Sequence, residues 1–149
     1  MPGRRAFMAA VLLLASLGVL APARAQTPPA GAGPVYVAYY WRARPDKIGD
    51  YSAYIMGTAE AIDENARQAG AFIEVRTLLA TRPADGPPSD WTHLRIFTLK
   101  DMAAADALGA ALDAATARAV PDEAQRKANS ARSAGLRDFV RREVWTTLR

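Results

Sequence analysis

The chain has 149 residues, half of them hydrophobic, no cysteine and a formal charge of +4. Without cysteine there is no disulfide framework and no thiolate metal site, so an oxidising compartment is tolerated and not exploited. The positive charge is not evidence for nucleic acid. Of the 19 Lys and Arg residues, Arg4, Arg5 and Arg24 lie in an N-terminal export signal; without them 16 basic residues face 15 acidic ones, and no basic run interleaved with aromatics remains.

That signal is the opening stretch "MPGRRAFMAAVLLLASLGVLAPARAQ": a basic start, an apolar run from Ala6 to Leu20, and a small-x-small site at Ala23-Arg24-Ala25 that places cleavage before Gln26. The apolar run is shorter than the roughly 20 residues a bilayer span needs, so no membrane attachment is expected after cleavage. "RRAFM" also resembles a twin-arginine signal. It lacks a Ser or Thr before the arginines, and its core carries three consecutive leucines, which favours the general export route. The expected location is periplasmic or secreted. Residues 1–25 are thus a signal peptide, residues 26–34 ("QTPPAGAGP") a flexible tether, and residues 35–149 one domain.

In that domain "PVYVAYYWRA" is rich in Val and aromatics and reads as a strand. "RPDKIGD" marks a turn. From Asp46 to Ala69, Ile48, Tyr51, Ile55, Ala59, Ile62 and Ala66 recur at steps of three and four, which predicts an amphipathic helix stopped by Gly70. Glu60, Asp63, Glu64 and Arg67 fall on or beside its solvent side, with Asp63 four residues before Arg67. They read as a solvated ion-pair face and not as a metal site.

"AFIEVRTLLA" alternates as a second strand, followed by the Pro/Gly-rich loop "TRPADGPPSD"; Trp91 to Leu99 reads as a third strand. Asp101 is placed to cap a helix whose face carries Met102, Ala105, Leu108, Leu112, Ala115 and Ala119. A further helix is expected from Pro121 to about Ala134, acidic at its start and basic later, with Gly135 as its stop. "LRDFVRREVWTTLR" closes the chain as a fourth strand. The order β-α-β-β-α-(α)-β is the ferredoxin-like arrangement, an α+β fold with an antiparallel four-stranded sheet and helices on one face.

The two-residue strand period divides the sheet into two sets. Val35, Val37, Tyr39, Trp41, Ile73, Val75, Leu79, Leu94, Ile96, Val140, Val144 and Leu148 are expected under the helices. The other face is expected to carry Tyr36, Tyr40, Arg42, Phe72, Glu74, Arg76, Leu78, Trp91, His93, Arg95, Phe97, Phe139, Arg141, Glu143 and Trp145. A face so aromatic needs covering, and pairing two such sheets would cover it. With "WRARPDKIGDYSAYI" after the first strand and "DWTHLRIFTLKD" at the third, the chain resembles the dimeric α/β-barrel superfamily, which includes antibiotic-biosynthesis monooxygenase-type and stress-responsive barrel proteins. The resemblance implies a homodimer through the sheet faces and a small, apolar or aromatic ligand. Some members of that superfamily bind haem and others oxidise aromatic substrates without a cofactor; no cofactor is expected here.

Candidate site residues follow from the second face. His93, the chain's one histidine, is a candidate general base with Arg95 as its oxyanion partner, or a haem-iron ligand; a hydrogen-bonded structural histidine is the alternative. Arg76, Arg95 and Arg141 suit a carboxylate or enolate, or internal pairing with Glu74 and Glu143. Tyr36, Tyr40, Trp91 and Trp145 suit an aromatic ligand or a dimer seam. Gly31 and Gly33 lie in the tether, so no nucleotide-binding loop is expected. A small-molecule binder, a cofactor-independent monooxygenase or isomerase/lyase, and a structural dimer with a filled core all remain open at this point.

Overall fold

The computed structural model describes residues 33–81 and 87–147. The expected signal peptide, most of the expected tether, part of the "TRPADGPPSD" loop and Leu148 lie outside the described residues. Strand β1 (Val35–Ala43) leads into helix α1 (Ile48–Tyr54), a single π-helical turn (Ile55–Ala59) and helix α2 (Glu60–Gln68), which run on without a break. Strands β2 (Glu74–Leu79) and β3 (His93–Leu99) follow, then helices α3 (Met102–Ala119) and α4 (Glu123–Leu136) and strand β4 (Arg137–Thr146).

The four strands form one antiparallel sheet in the order β2-β3-β1-β4, with the helices on one side. This is the ferredoxin-like topology expected from the order of elements. Local chemistry sets several boundaries. The carboxylate of Asp101 accepts a hydrogen bond from the Ala104 backbone N–H at 2.8 Å and starts α3. Asp122, one residue after Pro121, caps α4 in the same way through Gln125. Gly70, at φ +77, takes the left-handed conformation that ends α2. Gly135 ends nothing: α4 continues through it to Leu136 and passes directly into β4.

Between sheet and helices lies a core of Val35, Val37, Ala66, Phe72, Phe97, Leu99, Ala105, Leu108 and Ala115. Burying a side chain such as Leu108 or Phe97 contributes roughly 1.5–3 kcal/mol each. A second cluster, Ala43, Tyr51, Ile55 and Leu136, closes the end of the sheet near α1 and α4.

The strand register corrects the expected faces. Residues directly opposite across an antiparallel pair share a face. Val37 is opposite Phe97, Tyr39 opposite Arg95 and Trp41 opposite His93. His93, Arg95 and Phe97 therefore lie under the helices, and Leu94 and Ile96 on the outer face, the reverse of the sequence expectation. Phe72 is likewise in the core, whereas Ile73 is exposed. In β4 the register shifts: Tyr40 is opposite Arg141 but Trp41 is opposite Phe139, so Val140 is an extra residue at a β-bulge. The bulge puts Phe139 on the helix side and Val140 in the outer cluster with Ala38, Tyr40 and Leu94.

Candidate functional site

His93 begins β3 and is 2 % exposed, with its ring edge against Tyr51 at 4.6 Å between centroids. Thr92 Oγ1 lies 2.9 Å from its Nδ1, and Ser52 Oγ 3.0 Å from its Nε2. Two further bonds orient this chain: the Ala43 N–H donates to Thr92 Oγ1 at 2.7 Å, and Ser52 Oγ donates to the Ile48 carbonyl at 2.8 Å. Ser52 gives its proton to the Ile48 carbonyl and so can accept from Nε2–H, while the Thr92 hydroxyl proton has two acceptors within reach, Nδ1 at 2.9 Å and the Trp41 carbonyl at 3.3 Å. Burial pushes the His93 pKa down, in keeping with a neutral ring. The histidine thereby ties β1 and β3 to α1.

Two residues along β3, Arg95 forms a buried ion pair with Asp63 of α2; their side chains are 14 % and 8 % exposed. The sequence places Asp63 on the solvent side, and the π-helical turn explains the difference. Its wider winding rephases the helix so that the buried positions run Tyr51, Ile55, Ala59, Asp63 and Ala66. Arg67 pairs instead with Glu64. Burial raises the Asp63 carboxyl pKa against the opposing pull of the guanidinium. Arg95 Nε is buried without an acceptor, and the guanidinium carbon lies 5.2 Å from the Phe97 ring centre.

Two adjoining cavities open between sheet and helices. The smaller, about 200 Å³, is bordered by Tyr39, Trp41, Arg95, Phe97, Leu112 and Asp113. The larger, about 640 Å³, shares Trp41 and Asp113 with it and adds Tyr54, Ile62, Phe139 and Arg137. Trp41 packs on Phe139 with ring centres 4.9 Å apart, and the Arg137 guanidinium sits 3.3 Å from the Trp41 ring centre. The result is a cleft with an aromatic cluster at its sheet side, a cation set against that cluster, and polar residues of α3 and α4 along the rest of its lining. Its size is in the range of small-molecule sites. His93 borders neither cavity.

The residues predicted to bind ligand are on the other side of the sheet. Tyr40 Oη donates to Glu143 at 3.0 Å, Trp145 Nε1 donates to the same carboxylate at 3.1 Å, and Arg141 bonds both Glu143 and Asp90. Arg141 lies 3.9 Å from the Tyr40 ring centre, and Trp91 packs edge-on against that ring. Tyr36 is next in line, opposite Trp145. Arg76 pairs with Glu74 at the exposed edge. The structure thus gathers Tyr36, Tyr40, Trp91, Arg141 and Trp145 on one face, with Arg76 at its edge, and sets His93 and Arg95 on the opposite face. The three candidate arginines each hold a carboxylate of the same chain: Glu74, Asp63, and Glu143 with Asp90.

The sequence reading did not single out Trp41, Tyr54, Phe139 or Arg137, which border the larger cleft, as candidate site residues. Trp41 was visible as the helix-facing end of "VYVAYYW", but Arg137 carries no signal of its own. Among the described residues no group of three or more His, Asp or Glu side chains is arranged to hold a metal ion.

No protein-family model and no curated protein matches the chain. Solved structures do. HapK from Hahella chejuensis superposes with a TM-score of 0.50 at 10 % identity, over 76 % of this chain and 92 % of its own. SnoaB, a cofactor-independent oxygenase from Streptomyces nogalater, gives 0.45 at 17 % identity, over 79 % and 96 %. An EthD-like protein from Ralstonia eutropha gives 0.49 at 14 % identity, over 76 % and 90 %. At such identities the likeness is one of fold and not of chemistry. The chain has a ferredoxin-like α+β fold, which it shares with HapK.

Proposed function

We propose that this protein binds a small apolar or aromatic molecule in the cleft between its sheet and helices, after export to the periplasm or beyond. The observation that carries the reading is the cleft of about 640 Å³, in which Trp41, Tyr54 and Phe139 stand among polar and charged lining residues such as Arg126, Asn129 and Ser130. Flat aromatic side chains of this kind favour planar rings through stacking and edge contacts. The protein acts as a homodimer joined through the outer sheet faces, where Leu78 and Trp145 are exposed beside the paired charges of Arg141 and Glu143. Turnover with His93 as general base is the competing reading, and the geometry gives it less support: both ring nitrogens are hydrogen-bonded and the ring borders neither cavity.

Native mass spectrometry of the protein purified from its own periplasm tests the proposal. The expected species is a dimer of chains beginning at Gln26, carrying a discrete added mass that Trp41→Ala abolishes. A monomer would refute the sheet pairing. An adduct unaffected by Trp41→Ala would place the ligand elsewhere.

A further inference from the structure

We infer that the molecule bound in the cleft is an aromatic carboxylate whose anionic group pairs with Arg137. The inference rests on the cleft being a ligand site, as proposed above. Arg137 is the C-terminal cap of α4 and the first residue of β4. Its Nε donates to Ser133 Oγ at 3.1 Å, and its guanidinium lies over Trp41 and 5.5 Å from the Tyr51 ring centre.

Arg95 beside the cleft has an acidic partner in Asp63 and the exposed Arg44 has Asp138, whereas Arg126 and Arg142 bond backbone carbonyls. Among the described residues no carboxylate stands at ion-pairing distance from Arg137. Its surroundings disfavour its charge. Burial pushes its pKa down, and the positive charge of Arg95 adds to that effect, while only the Tyr51 and Tyr54 hydroxyls oppose it. A half-buried cation without a counter-ion is costly, and the face of Trp41 compensates in part.

The remaining charges of the cleft leave room for an anion. Three arginines, Arg44, Arg126 and Arg137, face two aspartates, Asp113 and Asp138. Asp138 is held by Arg44. Arg126 bonds only neutral carbonyls, those of Val120 and Pro121. Asp113 is exposed on α3, where water weakens its repulsion. A ring lying along Tyr54 and Phe139 would present its carboxylate to the terminal nitrogens of Arg137. A guanidinium fork matches that planar group with two parallel hydrogen bonds.

Isothermal titration of the processed, full-length chain with naphthoate and with neutral naphthalenemethanol tests the inference, because the two probes share a ring and differ in charge. Naphthoate is expected to bind roughly ten- to a hundredfold more tightly. Arg137→Gln should erase that preference, Arg137→Lys should keep part of it, and Lys127→Gln, on the exposed side of α4, should leave it whole. Equal binding of the two probes to the unmodified protein would overturn the anion inference while the cleft stands as a site for rings. A preference that survives Arg137→Gln would overturn it too. Failure of both probes to bind would remove the ligand site itself, and the inference with it.

Discussion

Replacing Asp63 with leucine would leave Arg95 charged, largely buried and without its carboxylate. Breaking a buried pair from one side costs about 3–5 kcal/mol, a large part of the ~5–15 kcal/mol that holds a domain of this size together. For about 110 ordered residues the unfolding entropy makes 1 kcal/mol worth roughly 4 °C, so the midpoint should fall by about 12–20 °C. Arg95→Met exposes the complementary case. Its stranded carboxylate can take up a proton, because burial already raises the Asp63 pKa and loss of the guanidinium raises it further. The folded state then binds more protons than the unfolded one, so stability relative to the parent recovers as pH falls toward about 4. Asp63→Leu shows no such recovery. The double variant Asp63→Leu/Arg95→Met should lie within about 1 kcal/mol of the parent, since an apolar pair needs no solvation. Urea unfolding of the four proteins at neutral and mildly acidic pH closes the cycle. Additive losses in the double variant would refute the reasoning, because they would mean that the two charges do not depend on each other.

His93 gives a second pH signature, with the opposite sign. Its folded pKa lies below the ordinary 6.5, so the unfolded chain binds the extra proton first, and stability is full above about 6.5 and falls as pH drops toward the folded value. As this is the one histidine in the chain, His93→Gln should flatten the stability profile in that window, and an unchanged slope would assign it to carboxylates. Tyr51, pushed up to about 12 by burial, should stay protonated while ordinary tyrosines ionise near 10. Ultraviolet difference titration of the parent against Tyr51→Phe reads this directly, and a Tyr51 component near 10 would mean that the ring is accessible to water.

The order of elements was legible because strands and helices announce themselves locally, through alternation in "VYVAYYW", a cap at Asp101 and a stop at Gly70. What escaped was parity. In β3 both alternating sets contain large apolar residues, so the two-residue period alone does not say which set faces the helices. Burial became favourable only because Ser52 and Asp63 arrive from the helix with hydrogen bonds, a long-range arrangement that no window of sequence contains. Asp63 itself was hidden by the π-helical turn, which breaks the 3.6-residue period on which helix reading depends. In β4 one extra residue, Val140, did the same to the two-residue period, and so Phe139 was assigned to the wrong face.

The junction at Leu136 and Arg137, where α4 becomes β4 with no intervening loop, has a mechanical meaning. A side chain on a loop must be frozen each time it grips a ligand, and that ordering is subtracted from affinity. Arg137 has a helix behind it and a sheet ahead of it. The Arg44 N–H fastens the joint further, donating to the Leu136 carbonyl at 2.9 Å. The guanidinium is therefore carried on something closer to a bracket than a tether. A single glycine inserted between Leu136 and Arg137 would keep every side chain of the cleft and still destroy its geometry.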